Sequence, residues 1–221
     1  MTLNSRVLDN ANFTSYSQRL LPVLPLFRDH AQARSMLSYC ADPPYASLVS
    51  AYIHALQMAS SPILDDAAYE ASLAVVRNFF ASDNVKTKQA AEGRHFQANL
   101  LYLQTIALTL ITIETSGPLW IPDAALDRNS LLTSAGIVSS HLHLRHITAE
   151  QFGSFQHATL VVELARRAWF VIIAIEDWNV ISHGDFAVAR ENGPDLNTGD
   201  DVAIIGSQLV HFTSKLLLLY A

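Results

Sequence analysis

Cysteine is almost missing: Cys40 is the only one in 221 residues. A single thiol excludes an internal disulfide and any cysteine-based zinc cluster within the chain, and a reducing, intracellular compartment is the natural reading. Charge is also scarce. Charged residues make up 15% of the chain, against roughly 25% in an average soluble domain. Lys plus Arg number 14 against 20 Asp plus Glu, a net charge of −6, and Lys86-Thr87-Lys88 is the densest lysine cluster. Phosphate neutralisation supplies most of the affinity for nucleic acid, so direct contact with DNA or RNA is not expected here. The chain has neither the G-x-x-x-x-G-K-[ST] loop nor the G-x-G-x-x-G turn that cradles phosphates. Gly153-Ser154-Phe155 does not complete a G-x-S-x-G nucleophile elbow. The N-terminus, MTLNSRVLDNANF, lacks the apolar core of a signal peptide. The longest apolar segment, Leu100 to Ile113, is interrupted by Gln104, Thr105, Thr109 and Thr112, and no transmembrane helix is read from it. Proline is absent from 123 to 193.

What is present is apolar. Hydrophobic residues reach 50%, enough for a large core and for apolar surface facing a partner, another copy, or the rest of its own polypeptide. The stretch Leu160–His183, LVVELARRAWFVIIAIEDWNVISH, is the most informative. Eight consecutive apolar residues, Ala168 to Ile175, follow Arg166-Arg167 and lead into Glu176-Asp177-Trp178. A helix apolar all round belongs inside a bundle or a membrane, and the flanking charges leave far fewer than the roughly 18–20 apolar residues that a bilayer requires. The stretch is therefore expected to be a buried central helix near 160–182.

The remaining elements also read as helical. Residues 1–12 are a polar tail, expected to be poorly ordered, and 13–221 form one helical domain. Pro22 and Pro25 turn the chain after a short first helix. Residues 30–40 suit a short helix, and Pro43-Pro44 opens one to Ser60 that buries Leu48, Ala51, Tyr52, Ala55 and Leu56. A helix from Asp65-Asp66 to about Phe80 buries Ala68, Leu73, Val76 and Phe80. Residues 87–115 read as one long helix ended by Ser116-Gly117-Pro118. Asp127 to His146 is helical in pattern, and Thr148 with Gln151 fits a capping box for a short helix. Gly184 ends the central helix, and Asp200 caps a last helix over 201–220. With no convincing alternating strand, the expected architecture is all-α, about seven to nine helices packed in layers.

Three groups of residues could carry chemistry. His141, His143 and His146 lie close in sequence. On a helix only His143 and His146 would share a face, and no third zinc ligand stands nearby; ordinary surface histidines are the better reading, so no metal ligand is assigned. Asp65-Asp66 with Glu70 resembles an acidic cluster that holds magnesium and a diphosphate. A second cluster at Glu191, Asp195, Asp200 and Asp201 could face it, making a metal-dependent helical enzyme the alternative function. Acids at a helix start, however, stabilise the helix dipole without any metal. Cys40 has no neighbouring histidine to activate it. No catalytic or cofactor-binding residue is assigned, and none is expected in this segment. Glu163 and Arg167 are spaced for an intrahelical pair. Arg166 and Arg167, just ahead of an all-apolar turn, are expected to anchor the helix to its neighbours, since an unpaired buried charge is costly.

The segment Glu163-Leu164-Ala165-Arg166-Arg167-Ala168-Trp169-Phe170, its apolar turn, and Glu176-Asp177-Trp178 resemble the E-x-R-R-R-x-W-W…D-R hallmark of the fungal-specific transcription factor domain. That domain is the middle homology region of zinc binuclear cluster regulators. Other segments are similar in the same order: FTSYSQRLLPVLPLF (13–27), PPYASLVSAYIHALQMAS (43–60), Leu103-Gln104-Thr105, Leu131 to His146, Asp177 to Val188, and Gln208 to Tyr220. The resemblance spans roughly 13–221. Ala165, Phe170, Asp177, His143 and Asp185-Phe186 depart from its pattern. It implies a nuclear regulatory domain, not an enzyme, forming the N-terminal part of a larger middle homology region. Such a domain contacts the rest of its own polypeptide or the transcription machinery, takes a small-molecule effector, and allows a homodimer. Zinc and DNA would be bound only by an upstream six-cysteine cluster that these residues do not include. No membrane partner is implied.

Overall fold

The computed structural model describes residues 30–40, 43–60, 66–83, 94–116, 126–148 and 158–183, with Gln18, Leu20 and Leu26 ahead of them. These residues are 90% helical, with no strand, and six helices pack together. The helices are α1 (His30–Tyr39), α2 (Ala46–Ser60), α3 (Asp66–Asp83), α4 (Phe96–Ser116), α5 (Arg128–His141) and α6 (Ala158–His183), with 3-10 turns at Pro43–Tyr45 and Leu144–His146. The all-α bundle expected from the sequence is what the described residues form. The polar tail 1–12, the capping box at Thr148–Gln151 and the last helix over 201–220 fall wholly or partly outside the described residues.

The bundle is built around α4. Every residue from Ala98 to Ile113 is buried, because α1, α2, α5 and α6 all pack against this one helix. Such enclosure requires an apolar surface on all sides, and α4 carries Gln104, Thr105, Thr109 and Thr112 in its middle. The threonines solve this locally. Their hydroxyls donate to carbonyls one turn back: Thr105 to Leu101 at 2.8 Å, Thr109 to Thr105 at 2.8 Å, and Thr112 to Leu108 at 2.9 Å. A back-bonded hydroxyl needs no outside partner, so only its methyl group meets the neighbouring helix. Gln104 reaches out at long range instead: its Nε2 donates to the Leu26 carbonyl at 3.3 Å, with both residues fully buried, while its Oε1 has no hydrogen-bond partner among the described residues. By length and hydropathy Phe96–Glu114 could cross a membrane, but 89% of it is enclosed by the rest of the fold. Its apolar surface is therefore taken up by other helices.

The α2 and α3 hairpin closes one side. On α2 the five positions expected to face inward, Leu48, Ala51, Tyr52, Ala55 and Leu56, are all buried. On α3 Leu73, Val76 and Phe80 are buried, while Ala68 is half-buried. Phe79 and Phe80 meet the Tyr102 ring of α4 edge-on, each at 5.9 Å between centroids. The Arg94 guanidinium lies over the same ring at 4.5 Å, an arrangement that favours cation–π attraction. The residue before α4 is tied to the 3-10 turn that leads into α2: the Tyr45 hydroxyl accepts from the His95 N–H at 3.2 Å. Helix α4 begins at Phe96, not in the upper 80s, since Arg94 and His95 are outside the helix.

On the other side α5 and α6 pack on α4 and on each other. Asp127 caps α5, its Oδ2 accepting from the Ser130 N–H at 2.9 Å. This satisfies one of the amide groups that a helix start leaves unpaired. Arg128, the first residue of α5, pairs with Glu114 near the end of α4. Helix α5 stops at His141, short of the His146 that its pattern suggested. His143 is the reason: it sits in the left-handed region, φ 50° and ψ 38°. A non-glycine residue there ends right-handed helical geometry, and the chain re-enters as a 3-10 turn that packs against both α5 and α6.

Candidate functional site

Among the described residues no group of three or more His, Cys, Asp or Glu could hold a metal ion. His141, His143 and His146 are all exposed. The left-handed His143 and the 3-10 turn after it break the continuous helix on which His143 and His146 would have shared a face. Asp66 and Glu70 are exposed in the first turns of α3, where acids complement the helix dipole. The second acidic cluster, Glu191 to Asp201, lies outside the described residues, as do Asp65 and Ser154. Cys40 is buried beside α1, where a thiol behaves as a small apolar group.

Among the described residues, several that carry the family resemblance meet instead around α4 and α6. The Gln104 carboxamide reaches the Leu26 backbone and so joins the Leu103-Gln104-Thr105 segment to the opening segment 13–27. The turn through Leu142 and Leu144 lies against α6, with both leucines buried. On α6 itself Trp169 is 6% exposed and sits among Ala165, Ala168 and Ile172 in the common core. Among the described residues its indole Nε1 has no hydrogen-bond partner. Glu176 is also buried, at 6% exposed.

Helix α6 forms where the sequence places it, but it is not enclosed all round. Glu163, Arg167, Phe170, Ile173 and Ala174 are half-buried along one side, and Arg166 is exposed. Helical spacing puts 163, 167, 170 and 174 in one stripe. The Arg167 guanidinium pairs with Glu163 of its own helix. The expected arginine anchor therefore acts within α6, and the buried Trp169 supplies the contact with its neighbours. Sequence reasoning also missed the ion pair that does join two helices, Arg128–Glu114, whose side chains are 20% and 10% exposed.

A further polar contact lies between α2 and α3. His54 Nδ1 and the buried Ser72 Oγ are 3.1 Å apart. Burial lowers the His54 pKa from its ordinary value, because a desolvated site disfavours the charged imidazolium.

Comparison with known proteins adds no identity: the chain matches no family model, no curated protein and no solved structure.

Proposed function

We propose that this chain is a regulatory domain of a fungal zinc-cluster transcription factor, contacting partners or an effector and not DNA. What carries the reading is the order of the family-like segments along the chain, from 13–27 through Leu103-Gln104-Thr105 and Leu131–His146 to Glu163–Trp178. The fold is compatible with it. The buried Gln104 contact and the packing of the 142–146 turn on α6 bring four of those segments together around two helices. The composition fits too: net charge −6 with no basic cluster suits a domain that leaves DNA to another part of the protein. Regulation would be conformational. An effector or a transcription partner that binds one arrangement of the bundle better shifts its population by that difference in affinity. In its parent protein the domain would act in the nucleus on transcription by RNA polymerase II, with no catalytic step.

Tethering tests this directly. The chain is fused to an unrelated DNA-binding domain and a reporter downstream of the matching sites is measured. The expected outcome is a raised or lowered reporter signal that the core substitution Trp169→Ala removes. A reporter indifferent to the wild-type fusion sinks the proposal. Thermal shift against a metabolite panel then separates an effector-binding domain, which gains stability from its ligand, from a scaffold that responds to none. Stabilisation by magnesium with a diphosphate would favour the metal-dependent enzyme instead.

A further inference from the structure

We draw no further inference here: the strongest candidate, the half-buried stripe of Phe170, Ile173 and Ala174 beside the Glu163–Arg167 pair on α6, is an apolar helix face, and nothing in the structure shows what covers it.

Discussion

Three residues report most directly on how the core is held. Trp169 is buried against the helices around it, and Trp169→Ala should destabilise the fold by about 3–5 kcal/mol, the range for truncating a large core side chain. Trp169→Phe retains most of the ring and removes a buried N–H that lacks an acceptor among the described residues. It should therefore cost clearly less than the alanine variant in a urea titration. Gly136 behaves in the opposite way. It lies inside α5, and a Cβ built there meets nothing within 4 Å. Alanine gains helix propensity without a clash, so Gly136→Ala should stabilise by about 0.5–1 kcal/mol.

His54 gives the pH dependence. Its folded pKa is lowered, so the folded protein favours the neutral imidazole and the unfolded chain takes up a proton first as pH falls. The contribution is complete above the ordinary imidazole value of about 6.5. It is lost as pH drops from there toward the lowered folded value, and below both values it no longer changes. Stability measured from pH 8 down to pH 5 should thus fall more steeply for the wild type than for His54→Gln. Parallel curves would mean that His54 is not the group responsible.

At the scale of elements, the joint between α4 and α5 rests on two charged contacts at one helix start. Asp127 caps α5 while Arg128 reaches back to Glu114. Because the Arg128 and Glu114 side chains are mostly buried, their pairing should exceed that of an exposed ion pair. A double-mutant cycle on Glu114→Gln and Arg128→Met should give a coupling of about 0.5–3 kcal/mol. The Glu163–Arg167 pair on α6 is the internal control: its side chains are 39% and 26% exposed, and an i, i+4 pair of this kind is worth only about 0.2–0.5 kcal/mol. A coupling at 114–128 no larger than at 163–167 would show that burial contributes nothing to the joint.

For the whole molecule, the placement of α4 sets the order of local stability. A helix packed on several sides opens only when the bundle opens, whereas a peripheral element opens alone. Amides of Leu100 to Ile113 should therefore exchange with solvent at the rate of global unfolding. Those of α1 and of the Leu144–His146 turn should exchange faster. Equal protection along α4 and α1 would contradict a bundle built around α4.

How much of this was legible in the sequence differs by element. The inward face of α2 was, because Leu48, Ala51, Tyr52, Ala55 and Leu56 recur at helical spacing and all five are buried. The start of α5 was, to within one residue, because the helical pattern opens at Asp127, which stands as the cap of Arg128–His141. The left-handed turn at His143 was not, since Leu142 continues the helical spacing of Leu131, Ala135 and Val138 right up to it, and no glycine marks the turn. The rank of α4 over α6 was hidden by its threonines, which count as polar in a pattern but turn their hydroxyls back onto their own helix. The reverse holds for α6: Phe170, Ile173 and Ala174 are apolar in sequence yet only half-buried.

Periodicity, scarce charge and the absence of alternating strands by themselves determined an all-helical fold, with α1, α2, α3 and α6 close to their observed bounds. These are local properties, fixed by backbone hydrogen bonding and by which side of each helix is apolar. Which helix lies at the centre was decided only by the tertiary structure, as were the Gln104–Leu26 and Arg128–Glu114 contacts and the break at His143. Each depends on what residues distant in sequence present across a packed interface, and no local pattern encodes that.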